Sequence, residues 1–220
     1  MFFLSTILGC FSPGPALVPP AHFQSVSVRL DSEAGHRLQR QQRRRQAAFA
    51  SHSPKEQLPE AWRPATASRI WTSIVLHHTA TDSGTIESID AVHRRRRDRA
   101  GRPWLGIGYH FLIGNGNGMP DGQITPTFRW EKQLHGAHAG DRQRNETGIG
   151  ICLVGDFEKT PPTAKQLTAV MRLVKTLQTH YGISPQQTIG HDDVKATKCP
   201  GKHFPLAKVA GRETTDPRER

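Results

Sequence analysis

Cysteine is scarce. Three residues, Cys10, Cys152 and Cys199, in a chain of 220 are too few and too scattered for a disulfide framework, so stability must come from a packed core. After the first residues no segment approaches the ~20 consecutive apolar residues of a membrane span. Negative charge is also short: nineteen Asp and Glu stand against thirty Lys and Arg, a formal charge of +11. Such an excess favours association with anionic polymers such as nucleic acid, wall polymers or a membrane surface, and it indicates where the protein dwells rather than what it does. Much of it sits in two tracts, "RLQRQQRRRQ" (37–46) and "HRRRRDR" (93–99). Neither tract has interleaved aromatics or a recognisable nucleic-acid-binding fold around it, so both read as solvated faces or tails and no specific nucleic-acid partner is expected. A pair of carboxylates flanking a sugar-binding cleft, which glycoside hydrolysis usually needs, is missing as well.

The length suits one sizeable core, hence a single domain with appendages. Residues 1–21 read as a signal or lipoprotein leader: "MFFLSTILGC" is apolar and short, and "FSPGPALVPPA" follows it. The leader has no basic n-region, so either export uses an atypical signal or the start lies inside a longer one. The run "ILGC" looks like a lipoprotein processing box, which would make Cys10 a lipid anchor. Export to the periplasm or cell envelope is the expectation. Residues 22–67, rich in Arg, Gln, Ser, Pro and Ala without a sustained apolar period, read as a basic, mobile linker. Residues 68–210 carry the domain, and 211–220 a polar tail.

Within the domain, "RIWTSIVLHHTAT" is an alternating, β-branched strand ending in two histidines. Such a strand delivers a His to its C-terminal edge, where sites on α/β sheets are usually built. In "TIESIDAVHRRRRDR", Ile86, Ile89 and Val92 recur at helical spacing, with Thr85 placed to cap. "LGIGYHFLIGNGNG" predicts a second strand with Ile107, Tyr109, Phe111 and Ile113 on one side and Gly108, His110 and Leu112 on the other. The near-continuous apolar run "GIGICLVG" predicts a strand covered on both faces, with Cys152 as a small buried hydrophobe. "TAKQLTAVMRLVKTLQTHYG" predicts a helix with a Thr163/Gln166 capping box, an apolar stripe of Leu167, Val170, Met171, Val174 and Leu177, and a stop at Gly182. A short strand, "QTIGH", closes the set. The fold class is α/β, a single domain with a mixed central sheet and helices packed against it.

The segment "GHDDVKATKCPG" (190–201) places His191 and Cys199 eight positions apart in a loop. A catalytic zinc takes three protein ligands from His, Cys and carboxylate and leaves a position for water. His191 and Cys199 supply two, and a histidine ending the first strand could supply the third.

These segments resemble, in order, those of the zinc-dependent N-acetylmuramoyl-L-alanine amidases related to peptidoglycan recognition proteins and phage amidase-lysozymes. The likeness rests on "IVLHHTAT", "GIGYHFLIGNGNG", "QLHGAHAG", "NETGIGICLVGDF" and "GHDDVKATKCPG" and spans most of residues 70–207. It implies the peptidoglycan recognition protein-like fold and one zinc ion held by His77, His191 and Cys199, with Tyr109 as the catalytic tyrosine. Thr197 stands where the phage enzymes have lysine, as in the recognition proteins that hydrolyse. His78, the next strand residue, points the other way and is assigned to structure or to the surroundings of the ligands. His138 and His93 match positions lining the family's cleft, and Trp104, Arg144 and Asn145 are the further groove residues.

Two neutral imidazoles and a thiolate would leave zinc a net positive charge, enough to polarise water for attack on an amide carbonyl. Thr197 would help hold the oxyanion, and Tyr109 would place the water or assist proton transfer. The implied substrate is the amide between N-acetylmuramic acid and L-alanine in peptidoglycan or muropeptides, with a monomer as the expected state. The alternative is a peptidoglycan-binding module without hydrolysis, which the presence of Cys199 and Tyr109 disfavours.

Overall fold

Six successive buried residues, Ser73–His78, form β1, and the sheet is assembled around them. The computed structural model describes residues 57–98 and 100–212. In it β1 pairs in parallel with β4 (Gly148–Leu153) on one side and with β5 (Thr188–Gly190) on the other. β4 pairs in parallel with β2 (Phe111–Ile113), and β2 pairs antiparallel with β3 (Ile124–Pro126). The order β3-β2-β4-β1-β5 is the expected mixed sheet, and β3, the strand that the apolar patterning left out, is what makes it mixed. Leader residues 1–21, linker residues up to 56, the Arg/Gln tract, Cys10 and the tail beyond Arg212 lie outside the described residues.

Strand alternation sorts the side chains into two layers. Ile74, Leu76, Phe111, Ile113, Ile149, Ile151 and Leu153 pack against Val170, Leu173, Val174 and Leu177 of α4 (Ala164–Tyr181). Each such fully buried aliphatic side chain contributes roughly 1.5–3 kcal/mol of transfer free energy. On the opposite face Leu112, Met119, Cys152 and Val154 meet Ile86 and Ile89 of α1 (Ile86–Arg94). His77 stands opposite Cys152 in the β1/β4 register and therefore shares this second face. His78 falls on the first, where its Nδ1 accepts from the Phe157 N–H at 3.1 Å. Capping is as the sequence predicts: Thr163 and Gln166 form the box that starts α4, and Thr85 with Ser88 starts α1.

Three expectations change. Val92 is 46% exposed, and the buried residue of that turn is His93, whose Nδ1 accepts from the Gly108 N–H at 2.9 Å. Tyr109 lies with Leu112 and Cys152 rather than with Phe111 and Ile113, because the strand begins only at Phe111 and a period of two does not extend back into the preceding loop. The packed domain also starts before residue 68. Leu58 and Trp62 are buried in the main core, and the Trp130 Nε1–H donates to the Trp62 carbonyl at 2.7 Å. The absence of apolar periodicity in this segment misleads, because two isolated anchors, Leu58 and the Trp62 of one turn (Glu60–Trp62), hold it to the core.

The packing makes Trp62 a test of where the domain begins. Trp62→Ala is expected to cost ~3–5 kcal/mol, the range for truncating a buried tryptophan, read from urea unfolding of the domain. A loss under ~1 kcal/mol would show that the segment before residue 68 is an appendage after all. Buried histidines give a second test. Burial holds His93 down to about 4, with Arg96 and Arg129 adding to the effect, and burial with neighbouring His138 puts His110 well below its ordinary value. His110 accepts from the Gly150 N–H at 2.9 Å and its Nε2–H donates to the Leu134 carbonyl at 3.1 Å, so it too is neutral in the fold. The unfolded chain protonates these groups below about pH 6.5 while the fold does not, so stability must fall as pH drops through that value. For His93 the loss continues to about pH 4 and reaches ~3 kcal/mol. A urea midpoint of the metal-free domain that stays level from about pH 7 to about 4.5 would contradict this.

Candidate functional site

β1 and β5 are neighbouring parallel strands, so their C-terminal ends meet at one edge of the sheet. His77 is the penultimate residue of β1. His191 follows β5 directly, and its N–H extends the ladder by donating to the Leu76 carbonyl at 3.2 Å. The two imidazole centroids lie 4.6 Å apart. After His191 the chain folds back: the N–H groups of Val194 and Lys195 both donate to the His191 carbonyl at 3.1 Å, and the Asp192 N–H donates to the Cys199 carbonyl at 2.9 Å. That closure returns Cys199 Sγ to 3.6 Å from His77 Nδ1, where it accepts from the His78 N–H at 3.3 Å. One ligand atom from each of His77, His191 and Cys199 falls within 4.8 Å of the others.

The chemistry of this donor set fits zinc. His77 is 1% exposed, and burial together with His138 and His191 holds its basicity well down. His191 is lowered for the same first reason. Its Nε2 lies 3.2 Å from the Ala139 carbonyl, which can only accept, so Nε2 carries the proton and the lone pair is left on Nδ1. Burial pushes the Cys199 thiol up to about 12, against the opposing bond from the His78 amide. A metal would therefore bind with release of a proton. Two imidazoles and a thiol suit borderline-soft zinc rather than the hard cations calcium and magnesium, which prefer oxygen.

Tyr109 is half-buried beside this cluster, its ring centroid 5.1 Å from that of His77 and 5.4 Å from that of His93. Burial, with Cys152 and Cys199 nearby, pushes its phenol well above the ordinary value, so it is a proton-bearing donor. Thr197 is exposed, and its Oγ1 accepts from the Cys199 N–H at 3.3 Å, which leaves the hydroxyl hydrogen to donate elsewhere.

A cleft of about 1110 Å³ opens beside His191. Trp104, His138 and Asn145 line it, as does His191 itself. The other two groove candidates are placed differently. His93 is buried behind Trp104, ring centroids 5.4 Å apart, and Arg144 reaches Gln187 Oε1 at 3.2 Å, while its helix neighbour Arg142 lines the cleft. Asn145 also has a structural bond pattern, its Oδ1 accepting from the N–H groups of His138 at 2.8 Å and Ala139 at 2.9 Å.

Sequence reasoning missed the basic wall. Arg96, Arg97, Arg102 and Lys195 line the cleft, with Arg96 stacked 5.3 Å above the Trp104 ring. The tract at 93–99, read as solvent-facing, thus contributes directly to this surface. Arg129 is also missed: it is 1% exposed, it lines the cleft, and its Nη1 donates to the His135 carbonyl at 2.6 Å. No local pattern marked it, since a buried arginine in a four-residue helix reads as an ordinary surface charge.

The chain is similar to several known proteins. A peptidoglycan-recognition protein of Drosophila simulans is 32% identical over 140 residues, 60% of this chain and 69% of that protein. Peptidoglycan-recognition protein 2 of Holotrichia diomphalia is 33% identical over 137 residues, 58% of this chain and 66% of that protein. The solved structure of an endolysin N-acetylmuramoyl-L-alanine amidase from Clostridium intestinale is 31% identical with a TM-score of 0.54, covering 74% of this chain and 97% of that one. A second N-acetylmuramoyl-L-alanine amidase from that organism is 29% identical with a TM-score of 0.53, covering 73% and 91%. The sequence profile of the family described as N-acetylmuramoyl-L-alanine amidase matches residues 67–202, a span that holds all three converging donors, and the chain belongs to that family.

Proposed function

We propose that this protein is a zinc-dependent N-acetylmuramoyl-L-alanine amidase that cuts the amide between N-acetylmuramic acid and L-alanine in peptidoglycan. The observation that carries the reading is the convergence of His77, His191 and Cys199 within 4.8 Å at the edge of a basic cleft. Kinship alone leaves two readings, since the relatives bear the names of both amidases and recognition proteins. The thiol at Cys199 and the tyrosine beside His77 favour hydrolysis, because binding a wall polymer needs neither.

His77, His191 and Cys199 would hold the metal. When bound, zinc supplies Lewis-acid chemistry there, polarising water and a carbonyl oxygen. The chain's own groups do the rest. The Tyr109 phenol, beside His77, would donate a hydrogen bond. The Thr197 hydroxyl, accepting from the Cys199 amide, keeps its hydrogen for an oxyanion. A neutral donor stabilises developing negative charge less than a lysine in that place. Arg96 and Lys195 supply positive charge along the cleft wall, suited to an extended anionic substrate, whereas Arg142 there is paired with Glu146 at 2.9 Å. Such a substrate implies an exported, envelope-associated protein.

Metal and bond specificity are separately testable. Elemental analysis of the purified protein is expected to find about one zinc per chain, and Cys199→Ala to lose most of it. Equal zinc in that variant would remove the thiol from the site.

Digestion of purified sacculi is expected to free stem peptides with new N-terminal L-alanine and to leave glycan strands uncut. Tyr109→Phe should slow release by roughly 10²-fold or more, the range for losing one donor to the transition state. New reducing sugar ends, or new amino groups only on other stem residues, would refute the amidase reading. Tight sacculus binding by the zinc-loaded protein without any release would establish the recognition reading instead.

A further inference from the structure

His138 lines the cleft, yet its strongest ties run backwards into the protein. Its Nδ1 lies 3.0 Å from His77 Nε2, and its own Nε2 lies 3.2 Å from the Gly148 carbonyl. The ring fills a slot between two glycines. A Cβ on Gly136 would come within 2.2 Å of His138 Cδ2 and one on Gly150 within 2.5 Å, distances that no side chain tolerates. The backbone on either side is tied down as well, with the His138 and Ala139 N–H groups sharing Asn145 Oδ1. So the imidazole lies close against the backbone of both glycines, in room that a Cβ at either would take.

The contacts of that ring determine a proton. A carbonyl oxygen only accepts, so His138 Nε2 must carry hydrogen toward Gly148. His138 is 7% exposed, its ring nitrogens meet His77 and the Gly148 carbonyl, and no carboxylate among the described residues bonds to it. A buried imidazole without a counter-charge is neutral, which leaves its Nδ1 as a bare acceptor. The facing atom, His77 Nε2, must then be the donor. A neutral His77 with hydrogen on Nε2 has its lone pair on Nδ1, the atom 3.6 Å from Cys199 Sγ. The opposite tautomer would aim an N–H at the thiol and offer no lone pair there.

We propose that His138 is a positioning residue that locks His77 in the tautomer with its lone pair on Nδ1, directed at the metal position. A ligating histidine commonly donates its other ring N–H to a carboxylate, carbonyl or water. Here the acceptor is a second histidine, itself oriented by the Gly148 carbonyl. The matching device on the other ligand is shorter, His191 Nε2 meeting the Ala139 carbonyl directly. His138 and Ala139 are adjacent, so a single segment sets the lone-pair direction of both histidines. The consequence for metal affinity rests on the zinc reading, whereas the tautomer does not.

Metal-free protein tests the tautomer and zinc alone tests the consequence. Long-range proton–nitrogen NMR of the wild-type, metal-free chain should show hydrogen on His77 Nε2 and scalar coupling across the N–H···N bond to His138 Nδ1. Hydrogen on His77 Nδ1, or no such coupling, overturns the proposal and does so whether or not zinc binds. In chelator competition, His138→Ala should weaken zinc binding by roughly 10–100-fold, the usual cost of losing such a partner. His138→Asn, whose Oδ1 replaces the accepting Nδ1, should recover part of that loss. Wild-type zinc affinity in the alanine variant, or an asparagine variant no better than alanine with both folded, would overturn the positioning role. If the alanine variant fails to fold, the wild-type spectrum decides. A wild-type chain with the expected tautomer but no zinc affinity would instead defeat the metal reading and leave the tautomer assignment intact.

Discussion

Parallel pairing of β1 with β5 is the constraint on which the rest of the site depends. His77 and His191 are far apart in sequence, and side-by-side parallel strands bring both to the same sheet edge, where their ring centroids lie 4.6 Å apart. The pairing is secured from below by the packing of Ile74, Leu76 and their β4 neighbours on α4, a layer that contains none of the reactive groups. Core stability and site geometry thus draw on opposite faces of the same strand. Alternation along β1 is what permits this, since His77 and His78 point apart and only one of them can enter the site.

A second consequence of the architecture is that four histidines are buried with no carboxylate hydrogen-bonded to them among the described residues. His77, His93, His110 and His138 all lie in the buried interior. Desolvation opposes their protonation, and carbonyl or N–H partners satisfy their nitrogens. Neutral imidazoles are what a cation needs as ligands, so the low polarity of the second face prepares the donors before any metal arrives. The same burial raises the cost of acid. The region that equips the site is therefore among the first that falling pH should weaken.

Much of this was legible in the chain because it was carried by strong local signals. The α4 capping box, the apolar run of β4 and the double histidine at the end of β1 each follow from residue chemistry within one segment. His77, His191 and Cys199 as a set came through the family resemblance, since the residues alone left open which histidine of β1 joins His191 and Cys199; in the fold His77 and His191 lie at strand ends, and the loop after β5 brings Cys199 back to them. What escaped was determined between segments. Val92 and His93 exchanged places because Gly108, from another part of the chain, presents an N–H that His93 accepts and a valine could not. Trp62 was hidden in a polar stretch because a single indole can anchor a turn that has no periodicity. Arg129 has no local signature at all, since its burial is set by the carbonyls of Ile107 and His135.

On the amidase reading, binding and cleavage would draw on different parts of this molecule. The cleft wall comes from the loop around Trp104 and from Arg142 and Lys195, whereas the metal donors come from the ends of β1 and β5 and from Cys199. Removing one donor would alter neither the sheet nor the charge of the wall, so a surface that grips an anionic polymer could outlast the loss of its chemistry. Recognition and hydrolysis can therefore share one fold, separated by a few side chains at its edge. In this chain the two also meet at His138: one side faces the cleft, and the other contacts His77. That placement joins the cleft lining to a candidate metal donor through a single imidazole.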